Sequence, residues 1–129
     1  MEFPDDVHYT KEHEWARIEG DRIVIGITDF AQTELGDVVY VELPKVGSVV
    51  EVMGTFGVVE SVKAVSDLYA PVSGTVVAVN TLLEERPELV NHSPYGEGWM
   101  IVLQPSDSSE YQHLLSAEAY RAYVAQGQS

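Results

Sequence analysis

A series of short β-branched runs, each closed by a glycine- or proline-bearing break, constrains this chain more than any other feature. Glu14-Trp15-Ala16-Arg17-Ile18 and Arg22-Ile23-Val24-Ile25-Gly26-Ile27 flank Glu19-Gly20-Asp21 and read as a hairpin. Further strands are expected at 37–43, 48–52, 55–61, 65–70, 75–80 and 98–103, with Pro44-Lys45-Val46-Gly47 and Pro71-Val72-Ser73-Gly74 as breaks. One short helix interrupts them at 28–35. Thr28 or Asp29 can accept its first free amides, and Gly36 suits the position past its end. A helical turn is expected within 83–90, beginning near Pro87.

After Pro105 the period changes from two to that of a helix. Asp107 and Glu110 stand at capping-box spacing, with Leu114 and Leu115 as the apolar face. A second helix is expected from Ser116, burying Tyr120, Tyr123 and Val124, with a frayed tail at 126–129. Many strands followed by terminal helices predict a mainly β fold. It is a β-sandwich or flattened barrel with an α-helical cap, and 1–129 reads as one domain. Residues 36–62 and 65–91 each hold a glycine, a proline and paired β-branched runs. That weak internal repeat is centred on Lys63.

Charge and composition exclude several function classes. The net charge of -14 repels phosphate backbones, so nucleic acid is not an expected partner, whereas basic docking faces are. No apolar run reaches the roughly 18 residues of a spanning helix, so no membrane partner is expected. The acidic start Met1-Glu2-Phe3-Pro4-Asp5-Asp6 resembles neither a secretory signal nor a transit peptide. A cytoplasmic protein is expected, and a processed organellar one would read the same. The absence of cysteine removes thiol nucleophiles and Cys–metal sites. His8, His13, His92 and His113 lack metal-ligand spacing, and there is no nucleophile elbow or phosphate loop. Catalytic residues are therefore not expected, and Trp15 and Trp99 read as core.

Attention falls on the lysines, because there are only three: Lys11, Lys45 and Lys63. Lys63 lies between two β-branched strands, at an expected hairpin tip. A tip amine stays protonated, at a pKa of about 10.4, and is within reach of a modifying enzyme. Around it, Glu60-Ser61-Val62-Lys63-Ala64 and the continuation through Val65-Ser66-Asp67-Leu68-Tyr69-Ala70-Pro71 resemble the lipoyl-attachment segment of glycine cleavage H proteins. His13-Glu14-Trp15, Gly26-Ile27-Thr28-Asp29, Ala31-Gln32, Leu35-Gly36-Asp37-Val38-Val39, Val41-Glu42-Leu43-Pro44, Asn91, Ser93-Pro94-Tyr95 and Gly98-Trp99 also resemble blocks of that family, in order. Biotin carriers typically have methionine on both sides of their lysine, where this chain has Val62 and Ala64. Lipoyl domains of 2-oxo acid dehydrogenases are shorter and lack both the leading His-Glu-Trp region and the trailing helices.

The resemblance implies a carrier without activity of its own, bearing lipoic acid as lipoyl-lysine at Lys63. A pyridoxal-phosphate glycine decarboxylase would load an aminomethyl group on the arm. A tetrahydrofolate-dependent aminomethyltransferase would unload it, and dihydrolipoyl dehydrogenase would reoxidise the arm, which a lipoate-attaching enzyme first installs. It further implies that Glu14 and Asp67 receive the loaded arm's amine, with Ile27 and Ala64 in apolar contact and Glu60 read during lipoylation. Two positions depart from the family pattern: Phe30 stands where many members have histidine, and Glu12 where a small hydroxyl residue is common. Other readings are a donor that relays lipoyl groups to other proteins, and an unmodified interaction sandwich. A monomer is the default for a protein that visits several partners.

Overall fold

The fold is that of a computed structural model, which describes residues 1–127. Its strands form two open antiparallel sheets. The larger runs β1-β2-β3-β9-β8-β5 and the smaller β4-β6-β7. Their ranges are β1 His8–Tyr9, β2 Glu14–Glu19, β3 Arg22–Ile27, β4 Val38–Glu42, β5 Val49–Val50, β6 Thr55–Ser61, β7 Val65–Tyr69, β8 Gly74–Val79 and β9 Ile101–Pro105. This is the expected mainly β sandwich.

The alternation of side chains along β2 and β3 explains how it is filled. Successive residues point to opposite faces, and here both faces are covered. Ala16, Ile23, Ile25 and Ile27 belong to the core between the sheets, with Val41, Phe56, Val59, Leu68, Val76 and Leu103. Trp15 and Val24 face the other way, into a second cluster with Val7, Tyr9, Ala117 and Tyr120. The lid over that second cluster is the C-terminal helix Ala117–Ala125, capped at Ser116, whose Tyr120 ring stacks on Tyr9 at 4.4 Å. Covering both faces of a central hairpin accounts for the nearly unbroken apolar run of β3.

Helix α1, Asp29–Leu35, starts where expected: the Thr28 hydroxyl accepts from the Ala31 amide. Gly36 closes it at φ 79° and ψ -161°, a combination open essentially only to glycine. The turn expected within 83–90 is two one-turn helices, α2 Leu82–Glu85 and α3 Leu89–His92, on either side of Pro87.

The region after Pro105 departs from the expected helix. Residues Ser108–His113 form a 3-10 helix, and the capping box is only half made. Asp107 accepts from the Ser109 amide, but Glu110 turns away and binds the Ser73 amide at 2.7 Å and the Ser73 hydroxyl at 3.1 Å. Leu114 and Leu115 follow in extended chain, where Leu115 exchanges backbone bonds with Tyr9. Tertiary hydrogen bonds outweigh the local pattern here, as the short length of the segment allows. The last strand likewise begins later than expected, at Ile101: Gly98 ends a turn in which its amide donates to the Ser93 carbonyl, and Met100 leads into the strand with its amide on the Ile25 carbonyl. Of the frayed tail expected at 126–129, residues 128 and 129 lie outside the described residues.

Gly26 shows how tightly the second cluster is built. A β-carbon there would stand 2.7 Å from the Trp15 ring. Gly26→Ala should therefore displace the indole and cost about 1–3 kcal/mol, as overpacking does. Urea unfolding followed by tryptophan fluorescence measures it, and an unchanged midpoint would refute this account of Trp15.

Candidate functional site

Lys63 stands in the turn that joins β6 to β7. Glu60 pairs with Val65, and the Ser61 amide donates to the Ala64 carbonyl, which closes a four-residue tip. The buried Ser61 side chain organises that tip from beneath, with its hydroxyl oxygen accepting from the amides of Lys63 and Ala64 at 3.3 and 3.0 Å. A further bond runs from the Val62 amide to the Asp37 carbonyl and ties the tip to the start of β4. Lys63 itself is exposed, and neither of the ion pairs among the described residues, Arg17–Glu19 and Arg86–Glu88, involves it.

The lysine chain passes over Gly36. Its Cε lies 3.5 Å from where a β-carbon on Gly36 would be. This platform is held by Asn91. Its amide nitrogen donates to the Gly36 carbonyl and to Gln32, and its oxygen accepts from the Val38 amide.

One residue before Gly36, a cleft of about 270 Å³ begins. Leu35, Ala31, Phe30 and Glu34 of α1 form one wall and Ser66, Asp67 and Leu68 of β7 another, with Glu12, His13, Glu14 and Ile27 between. Strand parity places Glu14 on the inner face with Ala16, and the register sets it opposite Ile27. Glu14 is 2% exposed. Thr10 donates its hydroxyl to Oε1 at 2.6 Å, and the Tyr69 amide donates to Oε2 at 3.1 Å. The second bond crosses between the sheets and satisfies a donor on β7, an edge strand of the smaller sheet.

Burial pushes the Glu14 carboxyl up to about 8, against the opposing pull of the Thr10 and Tyr69 hydrogen bonds. The resemblance gives Glu14 and Asp67 the same role, as acceptors of the loaded arm's amine. The structure separates them: Asp67 is exposed on β7, whereas Glu14 is buried and protonated near neutral pH. Of the other residues singled out, Ile27 lines the cleft beside Glu14. Ala64 lies in the turn, outside the lining, and Glu60 is half-buried on β6, opposite Tyr40 and Val65.

The back wall contains a polar chain that the sequence did not suggest. The Tyr120 hydroxyl is 2.8 Å from both His13 Nδ1 and Thr28 Oγ1. Thr28 is fully buried and its hydroxyl oxygen also accepts from the Ala31 amide, so the Tyr120 hydroxyl links the helix cap to the His13 ring. The other ring nitrogen, Nε2, is buried without a hydrogen-bond partner among the described residues. Burial also lowers the His13 pKa, against the nearby Glu12 and Glu34 carboxylates. His13 adopts φ 73°, and this left-handed turn carries the chain from Thr10 into β2. Glu12 and Phe30, the two positions that depart from the family pattern, both line this cleft, and Glu34 was missed as a member of the wall because periodicity marks it only as polar. No group of three or more metal-ligating side chains is arranged to hold a metal among the described residues.

The family model described as "Glycine cleavage H-protein" matches residues 7–127. The chain belongs to the glycine cleavage H-protein family. It is 58% identical over 127 residues to the glycine cleavage system H protein of Geobacillus thermodenitrificans, covering 98% of this chain and all of that one. The protein of that name from Anaeromyxobacter sp. (strain K) is 59% identical over 124 residues, covering 96% and 97% of the two chains. Among solved structures, a glycine cleavage system H protein from Mycobacterium marinum superposes with a TM-score of 0.88 at 41% identity, over 95% of this chain and 98% of that one. Within this H-protein fold, the hairpin lysine and the cleft beside α1 are the two features with chemistry to offer.

The Glu14 carboxyl has a consequence for stability. Its folded pKa of about 8 lies above the ordinary 4.5, so the folded chain retains a proton that the unfolded chain loses. Its contribution is complete below pH 4.5 and falls by up to about 1.4 kcal/mol per pH unit until the folded group ionises near pH 8. Glu14→Gln lacks the titration, so its stability relative to the parent should rise steadily across that window. Urea titrations at pH 5, 6, 7 and 8 would show a constant difference if Glu14 were ordinary.

Proposed function

We propose that this chain is the lipoyl carrier of a glycine cleavage system, with the cofactor attached to Lys63. The single observation that carries the reading is the position of Lys63: exposed at a hydrogen-bonded tip, in no ion pair among the described residues, and running over Gly36 toward an acidic cleft. The residues fit the group. Attachment requires a reachable primary amine, and a flexible arm needs a surface that does not obstruct it, which glycine at position 36 supplies. A lipoyl group bound there supplies a dithiolane that accepts an aminomethyl unit and cycles between disulfide and dithiol.

The protein's own residues receive what the arm brings back. Asp67 at the rim offers an exposed carboxylate to an ammonium group, and Glu14 offers a second one deeper in. Glu14 is neutral until the cation arrives. A positive charge in the cleft lowers its pKa and releases its proton, which gives a charge-assisted pair in a partly dry site. Ile27, Leu35 and Leu68 exclude water from the aminomethyl carbon, which limits hydrolysis. Ala64 lies where the arm leaves the tip, and a small side chain there leaves the path open. Glu60, on β6 before the turn, is proposed as a recognition residue for the lipoate-attaching enzyme.

The partners that complete this reading are a pyridoxal-phosphate glycine decarboxylase, a tetrahydrofolate-dependent aminomethyltransferase and dihydrolipoyl dehydrogenase. The compartment proposed is the cytoplasm, in keeping with the bacterial relatives.

Produced with lipoate and a lipoate ligase, the chain should gain one lipoyl increment in intact mass, confined to the peptide containing Lys63 and absent from Lys63→Arg. An unmodified mass in the presence of active ligase would refute the carrier. Removing one carboxylate by Asp67→Asn or Glu14→Gln should shorten the loaded carrier's lifetime in buffer. The loss of a charge-assisted hydrogen bond worth about 1.5–3 kcal/mol predicts roughly a tenfold effect or more. Quenched time points read by mass spectrometry measure that lifetime, and equal lifetimes would remove both residues from the docking site.

A further inference from the structure

The tip that carries Lys63 is apolar where a solvent-facing turn is ordinarily polar. Val62 and Val65, the residues one before and two after the lysine, are 70% and 68% exposed. Val39 on β4 is 52% exposed, and it is brought to the same end of the sheet by the pairing of Val38 with Ser61 and the bond from the Val62 amide to the Asp37 carbonyl. Irregular register between Val38 and Tyr40 turns Val39 outward rather than into the core. Three exposed β-branched side chains thus stand at the end of the sheet that carries Lys63, and none of the three belongs to a core cluster.

Carboxylates stand outside this apolar ring. Asp37 precedes Val38 at the start of β4, Glu60 pairs with Val65, and Asp67 follows Val65 by two residues on an exposed strand. Lys63 is the only basic residue between Arg22 and Arg86 apart from Lys45, which lies beyond the far end of β4. The tip therefore has apolar side chains at its centre and negative charge around them.

Resting on the reading that Lys63 bears the arm, we infer that Val39, Val62 and Val65 form a docking collar for the enzymes that load and unload it. The occupant is the mouth of their active-site channel, with an apolar inner rim and basic residues outside it. The placement favours the contact. An arm that enters a channel to its full length brings the residues flanking its lysine against the entrance, because neighbouring α-carbons are only about 3.8 Å apart. Burying the valines there gives affinity and seals the channel from water, while the outer carboxylates steer the approach of a basic face. A second set of exposed apolar residues, Val46 and Val49, lies at β5, away from any such entrance, and serves as the internal comparison.

The test uses the lipoylated chain, with the modification verified by mass, and the near-isosteric triple variant V39T/V62T/V65T beside the control V46T/V49T. All five positions are exposed, so neither variant removes a core contact. With glycine decarboxylase and with aminomethyltransferase, the triple variant should raise the KM for the carrier at least tenfold. Its kcat should stay within twofold, and the control should match the parent. That split is the signature of lost binding rather than lost chemistry. The parent KM should also rise with ionic strength, through screening of the outer carboxylates. A triple-variant KM within twofold of the parent for both enzymes, or a fall in kcat alone, would overturn the collar while leaving the carrier intact. A parent chain that takes up no lipoyl group would instead refute the carrier reading, and the collar with it.

Discussion

The β2–β3 hairpin is covered on both faces, and the other elements take their positions from that constraint. One face closes the core between the sheets through Ala16, Ile23, Ile25 and Ile27, and the other supports the C-terminal helix through Trp15 and Val24. Each fully buried side chain of this size contributes roughly 1.5–3 kcal/mol, so slipping the hairpin by one residue would exchange two filled faces at once. The register is accordingly fixed, and with it the location of Glu14. A carboxyl at the first residue of β2, with the parity of Ala16, has to lie at the mouth of the inner core.

That placement makes the acid a polar link between the sheets. Its two oxygens take the Thr10 hydroxyl and the Tyr69 amide, so the loop before β2 and the edge strand β7 are joined through one side chain. Two hydrogen bonds favour the ionised form and burial opposes it, with burial the larger effect. The outcome is a buried acid near its own titration point at physiological pH, within reach of the exposed Asp67. A chain of net charge -14 gains from this arrangement. A permanently ionised buried carboxylate would add to the repulsion with the neighbouring Glu12, which a neutral one avoids.

The parts legible in the sequence are those whose causes are local. The β2–β3 hairpin, the Thr28 cap and the turn at Lys63 each depend on side-chain period or on residues within four positions of one another. The 3-10 helix was not legible, because Glu110 answers to Ser73, 37 residues away, rather than to its own helix. Nor was the charge state of Glu14, which rests on Tyr69 and on the packing of β7. The polar chain from Thr28 through Tyr120 to His13 spans more than 90 residues, and no window of the sequence contains it. Glu34 was hidden for a related reason. A seven-residue helix without a fully buried residue shows no clear inner face in its sequence.

Separating the lysine from the cleft solves a problem that a single site would not. A carrier's amine must be exposed to be modified and to reach its partners, whereas its cargo must be shielded from water between visits. On the function proposed above, the two requirements fall on different elements, the β6–β7 tip and the wall between α1 and β7, with Gly36 between them. The fixed frame is Asn91, which bonds the end of α1 and the start of β4 at once and so keeps Gly36 at one height relative to both. Any side chain at position 36 would stand beside the lysine's Cε and would also meet a backbone angle that only glycine tolerates. The backbone angle is thus what holds glycine at this position, since a β-carbon would make only ordinary contact with the flexible lysine chain.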